Sequence, residues 1–240
     1  MGEAARVDHL GQMVTRLYER LGRWKDLIAM YEQDLLQAPD QDQQVALLNK
    51  IAVLYEERVK EVGPAIDCLK RVLDLVPDHL PTLHSLGRLY EKEGRWTELL
   101  DLNDHQTRLA GDTKAVVSLA HRNAEILEEQ LKDRPAAISA WERVLQLSPN
   151  YLPALRALGR LYGQDGRWEA LIRMYRTEAE IAPTPEQAAA LIQKLGELHE
   201  HKVGDLDQAI SSYREVLTLA PTHVPALRAL ARIYRTQGEW

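Results

Sequence analysis

The sequence contains no phenylalanine, a single cysteine and only four methionines in 240 residues. With Cys68 alone, neither an internal disulfide nor a thiolate metal cage can form, and a reducing compartment is compatible. The same slot 72 residues on holds Ala140 and then Ser212, so Cys68 reads as a small packed side chain rather than a reactive thiol. No run approaches the roughly 18 apolar residues that a bilayer crossing needs. The opening "MGEAARVDHLGQM" lacks the basic start and apolar stretch of an export signal. A soluble, cytoplasmic protein without a membrane partner is therefore expected. An excess of base is missing too: 30 Lys and Arg stand against 36 Asp and Glu, a net charge of -6. That balance disfavours a polyanion-binding surface, and no nucleic-acid partner is expected.

Catalytic signatures are also absent. Gly159, Gly163 and Gly166 are spaced by helix packing and turns, not as a phosphate-cradling loop after a strand. There is no nucleophile elbow and no H-E-x-x-H helix. His199 and His201 are the one pair to weigh for a metal, but two residues apart on a helix they point about 200° away from each other. Carboxylates stand on helix faces as i,i+4 partners of basic residues. No catalytic residue, cofactor or metal ligand is expected, and the chain reads as a non-enzyme.

What the sequence does have is repetition. "LGRLYEKEGRW" (86–96) returns as "LGRLYGQDGRW" (158–168), with "LYERLGRW" before it and "LARIYRTQGEW" at the end. Gly22, Gly94, Gly166 and Gly238 fall 72 residues apart, as do Trp24, Trp96, Trp168 and Trp240. A second phrase keeps the same period through Ala65, Ala137 and Ala209 and through Pro77, Pro149 and Pro221. Each half of the 72-residue unit thus holds two helical runs. In "LPALRALGRLY" the residues Leu155, Leu158, Leu161 and Tyr162 make one stripe of a 3.6-residue period. Glycines that can take positive φ stop helices. Pro81, Pro153 and Pro225 open them, where a missing N–H removes no bond. These marks predict thirteen helices near 6-21, 24-38, 42-60, 63-76, 80-93, 96-110, 113-131, 135-148, 152-164, 168-181, 185-202, 206-220 and 224-237, antiparallel across short links.

Leu158, Gly159, Tyr162, Gly166, Leu171, Tyr175 and Pro183, with Ala209, Tyr213 and Pro221, stand at the spacing of the tetratricopeptide repeat, a helix pair of about 34 residues. The chain resembles that family as a bacterial-type tandem array with a 72-residue double repeat. Repeats fall near 8-45, 46-79, 80-117, 118-151, 152-189 and 190-223, with a lone first helix at 224-240. The fold class implied is all-α, a right-handed superhelical solenoid in one domain. Two departures stand out. Leu27, Leu99 and Leu171 occupy the slot where the family has a small residue, and alternate repeats carry an apparent extra residue in the first helix, as in "LGELHEHKVGDLDQAI".

The resemblance implies that first helices line a concave groove. One row across it reads Arg16, Val53, Arg88, Glu125, Arg160, Glu197, Arg232, alternating in sign from Arg88 onward between helices about 8 to 10 Å apart. Neighbouring rows add Lys50, Arg122 and Lys194, and Glu56, Glu91, Glu128 and Glu200. Arg156 and Arg228 make the C-terminal end more basic. These charges can form a ladder of inter-helix ion pairs or a groove for a peptide or partner helix. The candidate groove residues are Arg88, Arg122, Glu125, Arg156, Arg160, Lys194, Glu197, Arg228 and Arg232. Chaperone-tail clamps of the family use Lys and Asn where this chain has Gln12 and Arg16, or His84 and Arg88, so that activity is not carried over. A protein or peptide partner is expected. So is a possible homo-oligomer, because the final helix keeps Leu227, Leu230, Ile233 and Tyr234 on its stripe. Tyr151, in the turn before Pro153, is the one aromatic expected to be free. An RNA-processing scaffold is a minor alternative.

Overall fold

The computed structural model describes residues 3–238, with side chains described from residue 11 onward. Trp240, the last letter of the fourth phrase, lies outside the described residues. Helices run as α1 (Glu3–Leu21), α2 (Trp24–Gln37), α3 (Gln41–Val53), α4 (Val62–Leu75), α5 (Leu80–Lys92), α6 (Trp96–Leu109) and α7 (Thr113–Glu125). They continue as α8 (Arg134–Leu147), α9 (Leu152–Gln164), α10 (Trp168–Glu180), α11 (Pro185–Leu198), α12 (Leu206–Leu219) and α13 (Val224–Gln237). The described residues contain no strand, as an all-α repeat requires. The chain divides into two compact units, Met1–Leu109 and Ala110–Trp240, called here the N unit and the C unit.

The stops and starts follow the punctuation. Gly22, Gly94, Gly166 and Gly238 take φ of 65°, 66°, 68° and 74°, the left-handed conformation that frees a helix end to turn. Helix starts are capped with the same period: Asp40, Asp112 and Thr184 accept from the backbone N–H of Gln43, Ala115 and Gln187 at 2.8, 2.7 and 3.3 Å. The "GRW" phrase is a joint. Its arginine lies over the tyrosine of the helix just ended, Arg23 on Tyr18, Arg95 on Tyr90 and Arg167 on Tyr162, at 5.5, 5.2 and 4.6 Å. Its tryptophan is half-buried and carries a cation from a later helix, Arg58 over Trp24 and Lys202 over Trp168.

The extra residue of the alternate repeats becomes a wider turn. Where the sequence predicts helices 42-60, 113-131 and 185-202, each α-helix passes into a π-helical segment: Leu54–Val59 after α3, Ile126–Gln130 after α7 and His199–Val203 after α11. A π turn absorbs one additional residue without ending the helix. Lys60, Lys132 and Gly204 then reverse the chain at φ of 66°, 54° and 81°.

In the N unit the core is built from Leu27, Leu48, Ile51, Ile66, Leu83, Leu86, Leu89 and Leu99, each nearly inaccessible. In the C unit one cluster joins Val144, Leu158, Leu161 and Tyr162 to Trp141, and a second joins Ile192, Leu195, Tyr213, Val216 and Ile233. The oversized Leu27, Leu99 and Leu171 are all buried, and glycine stands beside the last two. A Cβ on Gly87 would lie 3.8 Å from Leu99, and one on Gly159 3.6 Å from Leu171. Cys68 is buried, and its burial pushes the thiol pKa up, as a packed and unreactive side chain requires. His199 packs half-buried, with its pKa lowered chiefly by desolvation.

Candidate protein-binding groove

In the C unit, α9, α10 and α11 line an open cavity of about 720 Å³, within the range of ligand pockets. Its apolar lining comes from Leu152, Gly159, Tyr175, Ile181, Ala182, Pro183, Ala190 and Leu191; Arg156, Arg160, Glu178, Gln187 and Lys194 supply the polar groups. Three of the expected groove residues, Arg156, Arg160 and Lys194, therefore meet in one place. Each is exposed and stands on a first helix of its repeat, α9 or α11.

Two of these cations are anchored. Arg156 donates through Nε to Glu178 Oε1 at 2.9 Å, and Glu178 is buried at 9% exposure. Arg160 donates through Nη2 to Glu128 Oε1 at 2.5 Å, and the other oxygen of Glu128 accepts from Trp141 Nε1 at 2.9 Å. Lys194 has no carboxylate partner among the described residues; its Nζ lies 5.3 Å over the Tyr175 ring. Tyr175 packs beside Gly159, where a Cβ would stand in ordinary contact, 3.8 Å from Tyr175 Cε1. Burial raises the Tyr175 phenol pKa above its ordinary value.

The row of arginines pairs differently from the alternation expected. Arg160 meets Glu128, not Glu125 or Glu197. Arg88 in the N unit pairs bidentately with Glu56, and Arg232 in the C unit with Glu200 at 2.7 and 2.9 Å. All three acceptors sit inside π-helical segments, and the wide turn brings each carboxylate to face the arginine 32 residues on. Each is shielded, with side-chain exposure of 15%, 14% and 9% for Glu56, Glu128 and Glu200. The Tyr213 hydroxyl donates to Glu200 Oε2 at 2.8 Å, as the Trp141 indole N–H does to Glu128. Glu125 and Glu197 are taken within their own helix, by His121 at 3.0 Å and by Gln193 at 3.0 Å. Arg122 is half-buried on α7 and engaged, and Arg228 is exposed on α13, away from the cavity. Tyr151 is not free: its ring meets His121 edge-on, with centroids 5.5 Å apart, and it is half-buried.

The N unit holds a smaller groove of about 430 Å³ lined by Gln12, Thr15, Arg16, Glu19, Tyr31, Asp34, Leu47 and Lys50. Its residues lie 144 positions before their counterparts in the C unit, and Lys50 again lies over a tyrosine, Tyr31, at 5.6 Å. Tyr175 and Glu178 were missed in the sequence because they stand on a second helix, whereas the family pattern directs attention to first helices. The recurrence of Tyr31 with Lys50 as Tyr175 with Lys194 is a signal that finds them.

Among the described residues there is no cluster that could hold a metal ion, and no helix is long and apolar enough to cross a membrane. Comparison with known proteins gives several similar chains. Superkiller protein 3 of Schizosaccharomyces pombe is 21% identical over 200 residues, covering 77% of this chain and 14% of its own length. The CTR9 homolog of Arabidopsis thaliana is 29% identical over 187 residues, covering 75% and 16%. The chain thus spans about a seventh of the length of these relatives. Among solved structures, YrrB, described as a TPR protein with an unusual peptide-binding site, is 17% identical with a TM-score of 0.43, covering 84% of this chain and 97% of that one. MamA is 22% identical with a TM-score of 0.41, covering 76% and 95%. Tetratricopeptide repeat profiles match residues 12–45, 82–115 and 154–189, and again 189–223. Together these matches span more than half of the sequence, and the chain belongs to the tetratricopeptide repeat family.

Proposed function

We propose that the protein is a non-enzymatic interaction scaffold that holds a peptide or partner helix in the C-unit groove. The observation that carries this reading is the cavity between α9, α10 and α11, apolar along its walls and edged by guanidinium groups that internal carboxylates hold in place. A preformed groove with fixed donors lowers the ordering required on binding. Nothing in it supplies a nucleophile with an adjacent base, so its chemistry is recognition rather than bond cleavage. Of the expected groove set, Arg156, Arg160 and Lys194 form this site; Arg88 and Arg232 serve the inter-helix ladder. The test is affinity capture from the native source with the intact protein and with Leu191→Glu and Lys194→Glu variants whose helical melting is unchanged. Selective loss of partners from the variants is expected; retention of every partner would contradict the groove.

A second reading, self-association, is favoured by one observation. The α1 residues Met13, Leu17 and Leu21 are 55%, 54% and 60% exposed, and Leu227 of α13 is 46% exposed where its counterpart Leu155 is 1% exposed. Such apolar patches favour contacts between copies. Light scattering over a concentration series tests it: a molar mass that rises with concentration is expected, and a strict monomer removes it.

A further inference from the structure

Resting on the groove reading above, we infer that the C-unit groove takes a peptide segment that sets an apolar side chain beside a carboxylate. The walls decide the first half. Leu152, Ile181, Pro183 and Leu191 present carbon to the cavity around the half-buried Tyr175 ring. A wholly polar segment would leave these walls unpaired with anything apolar and bind weakly.

Charge decides the second half. The lining holds three cations, Arg156, Arg160 and Lys194, against one carboxylate, Glu178, and Glu128 stands behind Arg160. One positive charge is left over, and it belongs to Lys194. Each guanidinium has five N–H donors. Arg156 directs Nε to Glu178 and Arg160 directs Nη2 to Glu128, which leaves outward N–H groups at residues 65% and 56% exposed. The anchoring carboxylates fix both forks, so a ligand carboxylate meets donors already in position. An exposed ion pair alone is weak, and the apolar contact supplies the rest of the affinity. A basic segment would face the unpaired Lys194 ammonium and is disfavoured.

The test uses the full chain and synthetic peptides in titration calorimetry. One set carries a Leu, Ile or Trp within a few residues of Asp or Glu; a second replaces the acid by its amide, and a third by Lys. The acidic-apolar set is expected to bind, with affinity lowered about tenfold by the amide replacement and by Lys194→Glu, and falling with added salt. If amide and acid peptides bind equally, and Leu191→Glu abolishes both, the carboxylate preference is overturned while the groove reading stands. If peptides bind and Leu191→Glu changes nothing, the groove reading itself fails. If no acidic-apolar peptide binds below about 1 mM, the inference is overturned, and the capture experiment decides the groove separately.

Discussion

The two grooves are built on one frame 144 residues apart and differ in what fills them. Where the N unit has Thr15 and Glu19, the C unit has Gly159 and Gly163; where the N unit has Gln12, the C unit has Arg156. The C-unit space measures about 720 Å³ against about 430 Å³ in the N unit, and Gly159 lines it where Thr15 lines the other. The charges change with it. Arg16 and Lys50 meet Glu19 and Asp34 in the N-unit lining, which balances, whereas the C-unit lining keeps an excess of cations. The lesson is that a fixed helical frame, with its Lys over Tyr, can be turned from a neutral cleft into an anion-seeking one by a few first-helix positions.

The largest expected effect lies in the packing that supports the C-unit frame. A Cβ on Gly196 would overlap the Tyr213 ring, 2.7 Å from Cδ1 and 2.8 Å from Cζ, and Tyr213 is fully buried. The corresponding pair in the N unit is Ala52 with Leu69. Gly196→Ala should destabilise the protein by about 3 kcal/mol, the upper end for overpacking. Adding Tyr213→Leu should recover part of that loss, and additive losses in urea unfolding would contradict the overlap. A second comparison concerns binding. Lys194→Glu should weaken an acidic-apolar peptide by about 1.4 kcal/mol, while Lys50→Glu leaves it within error; equal effects would mean that the two grooves are not distinct.

The shielded glutamates differ in what holds them. Glu56 relies on Arg88, whereas Glu128 keeps Trp141 and Glu200 keeps Tyr213 when their arginines are removed. Arg88→Ala should therefore lower stability by about 1 kcal/mol, and Arg160→Ala by less. The smallest effect is one of pH. The Arg88 hydrogen bond holds the Glu56 carboxyl below its ordinary value of 4.5. On acidification the unfolded chain takes up that proton first. The stabilisation is complete above the ordinary value and is lost as pH falls through the lowered one. Acid unfolding of the wild type should therefore lose a contribution below pH 4.5 that Arg88→Ala lacks already.

Most of the fold was legible because the chain states it repeatedly: a glycine and a tryptophan every 72 residues mark the joints whatever the local helix propensity. Ten of the thirteen α-helices lie within three residues of their expected bounds, and the other three, α3, α7 and α11, end four to seven residues early where the chain turns π-helical. The ion-pair partners were less legible. An α-helical register puts Glu125 and Glu197 beside the arginine row, but the π turn after α7 and after α11 carries Glu128 and Glu200 there instead, and a sequence does not show where an extra residue is absorbed. Tyr175 and Glu178 were hidden for another reason. Whether a second-helix side chain reaches the groove depends on how closely two helices approach, and Tyr31 and Tyr175 both reach theirs, one beside Thr15 and the other beside Gly159.

Where a ligand lies decides between the two grooves. Hydrogen exchange of the full chain, with and without a saturating acidic-apolar peptide, reads this residue by residue. Protection is expected in α9, at the end of α10 and at the start of α11, with α1 to α3 unchanged. Protection centred on α1 to α3 or on α13, with α9 to α11 unchanged, would contradict it.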